Sequence, residues 1–353
     1  MDVSDFDFDL PEELIAQDPP RERGTSKLLV LDRQTGAITH VGFADLARLL
    51  QLGDVLVLND TRVFPARLLG KRVPSGGGVE CLLVQKSSVT DDPLVEEWEA
   101  LMHPGQKLKP GARVLFEHDG IRIHGEVLER RFFGRRTIRL ESERMPLDQA
   151  VNAIGHIPLP PYIRRDDRPD DRERYQTVYA RERGSIAAPT AGLHFTAPLL
   201  DALRARGVET VRVTLHVGYG TFKPVRTERV EEHSVDAEPF SVGPEAAAAL
   251  SRARREGRRI IAVGTTTARA LESLHVGDDG QVLPQTGAAT LFIYPGHAFQ
   301  IVQGLITNFH LPRSSLLMLV SAFARREPVL DAYRTAVALG YRFYSYGDAM
   351  LIL

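Results

Sequence analysis

The stretch Ala187-Ala188-Pro189-Thr190-Ala191-Gly192-Leu193-His194-Phe195 gathers small residues, a proline, a glycine, a hydroxyl and an imidazole into one short segment. That mixture suits a loop whose backbone a ligand approaches closely while a few side chains turn into a cleft. Proline and glycine serve plain turns equally well, so the segment alone leaves both readings open. Two more histidines stand in similar company. His216 precedes the glycine-rich turn Val217-Gly218-Tyr219-Gly220-Thr221, and His310 belongs to Thr307-Asn308-Phe309-His310-Leu311-Pro312. A lone histidine near a strand end is often a structural hydrogen-bonding group, but three in separate loops are consistent with one shared pocket.

No H-x-x-x-H or H-E-x-x-H pair offers metal ligands on a helix, and no G-x-S-x-G marks a nucleophile elbow. Asn59-Asp60-Thr61-Arg62 closes the apolar run 54–58, at the strand end where open α/β sheets bind ligands. Gly264-Thr265-Thr266-Thr267-Ala268-Arg269 sets hydroxyls and free amides at a helix start, suited to an anion or to ribose hydroxyls. It lacks G-x-G-x-x-G spacing, and a capped helix without a ligand explains it equally. Arg130-Arg131-Phe132-Phe133-Gly134-Arg135-Arg136 interleaves arginines with aromatics, as phosphates and stacked bases require. Arg164 and Arg165 add charge, although neighbouring acids such as Asp166 and Asp167 also fit a solvated, self-cancelling surface.

These groups need a scaffold, and 353 residues supply enough chain for two domains with a sizeable core. Hydrophobic residues at 43% and charged ones at 25% are the ordinary mix of a globular protein, and the net charge of −2 advertises no global attraction to nucleic acid. Cys81 is the sole cysteine, which excludes an intrachain disulfide. The acidic start MDVSDFDFDL does not read as a signal peptide, and no apolar run nears the ~20 residues that span a bilayer. The expected location is the cytoplasm, with no membrane contact.

Apolar periodicity predicts a short helix near 9–17, strands over 27–31 and 54–58, and a helix over 43–50. From about 67 to 149 short β-rich runs alternate with Gly and Pro turns, so an all-β, barrel-like domain is expected there. The α/β texture then returns: Thr196 caps a helix over 198–206, strands follow at 210–215 and 259–263, and helices at 244–256, 316–323 and 329–339. The fold expected is an α/β domain (1–66 and 150–353) with an inserted small all-β domain (67–149).

Longer motifs then become specific. Gly155-His156-Ile157-Pro158-Leu159-Pro160-Pro161-Tyr162-Ile163, Arg174-Tyr175-Gln176-Thr177-Val178-Tyr179-Ala180, the 187–195 stretch and YRFYSYGDAM at 341–350 resemble the S-adenosylmethionine:tRNA ribosyltransferase-isomerase family of queuosine synthesis. The resemblance covers nearly the whole chain. It departs at Val235 and Asp236 and at Ala288-Ala289-Thr290, which weakens any essential role for those positions.

The resemblance implies an α/β domain with an inserted β-barrel. It also implies an enzyme that moves the ribosyl part of S-adenosylmethionine onto the aminomethyl group of a 7-deazaguanine at the tRNA wobble position. Adenine and methionine leave, and the product is epoxyqueuosine. No cofactor is implied, since S-adenosylmethionine is consumed as substrate; the partners are that molecule and tRNA, and a monomer is expected. The sulfonium acidifies the adjacent C5′–H, so a base must lie within hydrogen-bond reach. Catalytic candidates are His194, first to be tested, then His216 and His310, with Asp60 as the carboxylate alternative. Candidate substrate contacts are Asn59, Arg62, Thr190, Gly192, Phe195, Gly218, Thr221, Thr265, Thr266 and Asn308, with Arg62 suited to the methionine carboxylate. Candidate RNA contacts are Arg130, Arg131, Arg135, Arg136, Arg164 and Arg165. An S-adenosylmethionine-dependent tRNA methyltransferase and a non-catalytic RNA-binding module remain the alternatives.

Overall fold

A computed structural model describes residues 1–88, 91–131 and 134–353. Two compact units result: Met1–Arg62 with Pro161–Arg165 and Glu173–Leu353, and Val63–Pro160 with Asp166–Arg172.

The first unit is built on a sheet of nine described strands. Glu209–Leu215, Val55–Asn59, Ile260–Val263 and Gly304–Asn308 run parallel at its centre. Every residue of the last three is buried, because a parallel sheet is covered on both faces and leaves no side of the strand for water. The two-residue period sorts their side chains. Leu56, Leu58, Ile261, Val263 and Ile306 pack with Phe195, Leu199 and Leu203 on one face. Val55, Val57, Ile260, Ala262 and Leu305 pack on the other with Leu250, Leu271 and Met318. Glu238–Val242 and Gln285–Ala289 extend one edge antiparallel. On the other side, Ala349–Ile352 lies antiparallel to Gly304–Asn308 and parallel to Lys27–Leu31, whose hairpin partner is Ile38–Gly42.

Helices flank this sheet where the sequence places their caps. Thr196 Oγ1 accepts from the Leu199 amide at 3.2 Å to open Ala197–Ala205, and Ser314 does the same for Leu317 at 3.2 Å to open Ser315–Ala324. The helix expected near 9–17 shrinks to one 3-10 turn, Glu12–Leu14. Beyond that turn the chain runs extended, with Ile15 bridged to Phe343 and the Ala16 amide donating to the Phe343 carbonyl at 3.2 Å. Tertiary pairing has overridden the local propensity there.

The second unit is a closed antiparallel barrel. Its described strands follow the order Arg135–Ser142, Val95–His103, Gly78–Ser88, Arg67–Val73, Arg113–His118 and Ile121–Arg130. Alternate side chains, among them Leu68, Cys81, Leu83, Phe116, Ile123 and Ile138, fill its interior. Gly125 must be glycine, since a Cβ would lie 2.6 Å from Val114 Cγ2. The α/β unit with an inserted barrel is thus the fold formed. The barrel unit reaches past the expected limit of 149, because the helix Leu147–Ile154 turns Leu147, Ala150, Val151 and Ile154 onto the barrel core.

One expected RNA contact is corrected here. Arg136 is 1% exposed, and its guanidinium donates to the carbonyls of Leu108, Arg135 and Gly105 at 2.9, 2.8 and 2.7 Å. It ties the barrel's own loop and cannot meet a phosphate. Arg135 is partly buried against Glu99 at 2.5 Å, and exposed Arg131 lies 3.2 Å from Glu129. Arg130 is exposed; Phe132 and Phe133 lie outside the described residues.

Candidate active site

The parallel strands of the first unit deliver their C-terminal ends to one edge, the edge at which such sheets bind ligands. A cleft opens there, lined among others by Tyr162, Thr190, Thr265, Asn308 and Tyr344. Asn308 ends one strand and enters the cleft wall. Gly264, at φ +94°, turns the neighbouring strand into the helix Thr265–Glu272, whose first residues Thr265 and Thr266 also face the cleft. The opening amides of that helix have no intrahelical acceptor, and their dipole favours electron-rich ligand atoms. Among the described residues, the buried Thr266 Oγ1 has no hydrogen-bond partner. Its hydroxyl is available to a ligand.

A row of hydrogen bonds braces the wall around Asn308. Asn308 Nδ2 donates to His194 Nε2 at 3.0 Å and to the Tyr344 carbonyl at 3.1 Å, while Asn308 Oδ1 accepts from Thr190 Oγ1 at 3.1 Å. His194 Nε2 is then an acceptor, so its proton sits on Nδ1 and goes to Ser26 Oγ at 2.9 Å. Tyr344 is held in a left-handed conformation, φ +72°, between this bond and its own amide's bond to the Phe309 carbonyl at 2.9 Å. A non-glycine residue at such an angle stores strain of about 1–3 kcal/mol. The Tyr344 ring stands edge-on to Tyr162, with centroids 3.9 Å apart, and the Tyr162 hydroxyl pairs with Ser345 Oγ. His310 completes the cleft. Its Nε2 meets Thr307 Oγ1 at 2.9 Å, its amide donates to the Tyr333 hydroxyl at 3.1 Å, and its Nδ1 has no protein partner among the described residues.

Residues 3–352 match the family described as queuosine biosynthesis protein. The chain belongs to that family. S-adenosylmethionine:tRNA ribosyltransferase-isomerases from Carboxydothermus hydrogenoformans and Heliobacterium modesticaldum are 53% and 52% identical to it, each over 100% of both chains. It is also similar to a crystal structure of S-adenosylmethionine tRNA ribosyltransferase from Thermotoga maritima. That match has 36% identity and a TM-score of 0.55, and covers 99% of this chain and 100% of that one.

In this queuosine-family chain the cleft collects Thr190, Thr221, Thr265, Thr266, Asn308 and His310 from among the expected contacts. Others stand elsewhere. His194 has both ring nitrogens engaged, by Ser26 and Asn308, and does not line the cleft. His216 joins a separate cluster, with Nδ1 2.8 Å from Thr61 Oγ1, itself 2.7 Å from Ser185 Oγ. Its ring packs so close to Gly184 that a Cβ there would lie 2.6 Å away. Asp60 accepts from Thr214 Oγ1 at 2.7 Å, and burial raises its carboxyl above the usual range. Asn59 spends its amide on Leu215 and Thr61, at 2.9 to 3.2 Å. Gly192 is packed beneath Tyr179, Phe195 is in the core, and the Gly218 amide donates to Glu238 at 2.8 Å. Arg62 is exposed and does not line the cleft. Arg164 and Arg165 pair with Glu12 and Asp18. Tyr162, Tyr344, Ser345 and Thr307 line the cleft without having been singled out, although the first three sit inside the motifs that carried the family resemblance.

Burial pushes both His194 and His310 down to about 3, with the Arg342 and Arg23 cations adding to the effect at His194. Both rings are neutral in the fold, whereas in the unfolded chain they protonate near pH 6.5. Between those values the unfolded chain binds more protons, so stability falls as pH drops, by up to about 1.4 kcal/mol per pH unit for each histidine. Urea titrations should therefore show a lower midpoint at pH 5 than at pH 7. His194→Gln should flatten that dependence; an unchanged slope would contradict a neutral, buried His194.

Proposed function

We infer that this protein is an S-adenosylmethionine:tRNA ribosyltransferase-isomerase. In this reading it transfers and isomerises the ribosyl part of S-adenosylmethionine onto 7-aminomethyl-7-deazaguanine at the tRNA wobble position, giving epoxyqueuosine-tRNA, adenine and methionine. Full-length identity of about half the residues to enzymes of that name supports the reading. The site observation that carries it is a cleft whose described lining includes no Asp, Glu, Lys or Arg, but has tyrosines, hydroxyls and a helix N-terminus. Such a lining suits a nucleoside: rings pack on Tyr162 and Tyr344, and ribose hydroxyls bond to Thr190, Thr265 and Thr266. S-adenosylmethionine is a consumed substrate here, and the enzyme needs no further cofactor.

His310 is the histidine placed to touch the reacting ribose or the departing adenine. With its proton affinity lowered by burial it acts as a neutral hydrogen-bonding group. The exposed Arg130 and Arg131 are assigned to RNA phosphates, with Arg164 and Arg165 exchanging their acidic partners for phosphate on binding. No described helix is long and apolar enough to cross a membrane, and the enzyme is taken to work as a cytoplasmic monomer.

Incubation with precursor tRNA and S-adenosylmethionine, followed by mass spectrometry, tests the reading. Adenine and methionine should accumulate in step with a heavier tRNA base. S-adenosylhomocysteine in their place would identify a methyltransferase, and intact S-adenosylmethionine would leave only an RNA-binding module.

A further inference from the structure

S-adenosylmethionine carries a sulfonium, an ammonium and a carboxylate, yet no acidic or basic side chain other than His310 lines the described cleft. A second pocket adjoins it and shares Ser345 with it. His194 lines this second pocket and bonds to Asn308 in the first, so the Ser26–His194–Asn308 row runs between the two.

Two guanidiniums line the second pocket, Arg23 and Arg174. Arg23 donates from Nη1 to the Gln176 and Leu193 carbonyls at 2.8 and 3.1 Å, and from Nη2 to the Glu173 carbonyl at 3.1 Å. Arg174 donates to the carbonyls of Arg21, at 3.2 Å, and Pro20. These bonds orient both planes but supply no opposite charge. Among the described residues neither guanidinium has a carboxylate partner. The two cations instead oppose each other, and Arg23 is half-buried. A guanidinium has five N–H donors, so both keep donors unspent. Two partly desolvated like charges with fixed, unspent donors are a cost to the fold that an oxyanion would offset. Arg62, the sequence-level candidate for this task, lines neither pocket.

We propose that the Arg23–Arg174 pocket receives the carboxylate at the amino-acid end of S-adenosylmethionine while the adenosine end occupies the cleft. The proposal rests on the preceding reading that S-adenosylmethionine is the substrate. Charge-assisted pairing here fixes the methionyl arm, so that the sulfonium carbon is presented to the cleft in one orientation.

Calorimetry on the whole protein separates this from the reading it rests on. Wild type should bind S-adenosylmethionine about 10–100-fold more tightly than its decarboxylated analogue, the range expected for a charged hydrogen-bonding partner. Methylthioadenosine, which has only the adenosine end, should bind weakly but measurably. Arg174→Gln and Arg23→Gln should collapse the carboxylate preference to within about threefold, and Arg174→Lys should keep part of it. Circular dichroism confirms that each variant is folded, and the wild-type comparison stands even if a variant is not. Equal wild-type binding of the two sulfonium compounds overturns the pocket assignment while leaving the substrate reading intact. So does a preference that survives in folded glutamine variants. Variants that keep the preference but flatten the salt dependence of tRNA binding would give the pocket to an RNA phosphate and overturn the proposal. Failure to bind any of the three compounds would remove the substrate reading itself.

Discussion

Replacing His310 with alanine should slow adenine release by about 10²–10³-fold, the usual cost of losing one preorganised polar group beside developing charge. His310 is the histidine that lines the cleft and has a ring nitrogen unused by the described protein. Its other nitrogen is steadied by Thr307 at 2.9 Å, and its amide by Tyr333, so the ring is oriented before substrate arrives. Because burial lowers its proton affinity to about 3, the ring is neutral at working pH. It resembles in this respect other neutral imidazoles that polarise a substrate rather than titrate. Single-turnover chromatography of adenine should show the loss with S-adenosylmethionine binding retained. Rates near wild type in a folded His310→Ala variant would remove His310 from the chemistry, and no ionisation of His310 should shape the free-enzyme pH profile between about pH 5 and 9.

Asn308→Ala should destabilise the first unit by about 1–3 kcal/mol, the cost of one buried polar group left without a partner. The group orphaned is His194 Nε2; the Tyr344 carbonyl keeps its bond from the Gly347 amide at 2.9 Å, and the Thr190 hydroxyl, which faces the cleft, can turn to water. Loosening the Tyr344 carbonyl also lets its left-handed backbone relax, which offsets part of that loss. Activity should fall with stability, because the wall bearing Tyr344 and Thr190 loses its anchor. Asn308→Asp separates the two effects. It puts an acceptor against the His194 acceptor, which the ring meets by carrying a proton on Nε2, either as the other neutral tautomer with Ser26 Oγ donating to Nδ1 or as the cation. The adjacent carboxylate raises the proton affinity of His194, so the variant should lose less stability than wild type as pH falls from about 7 to about 5. Urea melts across that range decide the matter: a variant with the full wild-type slope would mean that residue 308 does not bear on the proton affinity of His194.

Much of the scaffold was legible because its signals are local. The run 54–58 reads as a buried strand from its own residues, and Thr196 announces its helix by type and spacing. Thr265 and Thr266 could be chosen because hydroxyls and free amides at a helix start are a local signal, whereas the strand-end rule pointed to Asn59-Asp60-Thr61-Arg62, which do not line the cleft. What stayed hidden depends on partners far along the chain. His194 looks catalytic in its loop, yet Ser26 and Asn308, 168 and 114 residues away, hold both its nitrogens. Arg136 looks like part of a basic patch until carbonyls 28 and 31 residues earlier enclose it. Tyr162 and Tyr344 come from segments with no common local pattern and meet only in the folded unit.

The strand Ala349–Ile352 lies inside the sheet, between Gly304–Asn308 and Lys27–Leu31. Its position orders events during synthesis. The hairpin of Lys27–Leu31 and Ile38–Gly42 emerges early from the ribosome but joins the sheet only through a neighbour made some three hundred residues later. Until then the nascent chain exposes two unpaired strand edges, one on the early hairpin and one on Gly304–Asn308, both rich in apolar side chains. Such edges invite pairing with other chains, so the interval before residue 352 is translated is when a chaperone has most to protect. The barrel carries no such debt, because its described strands close on one another and are all made between residues 67 and 142. It can close while the remainder is still being made, leaving the sheet as the last element to be completed.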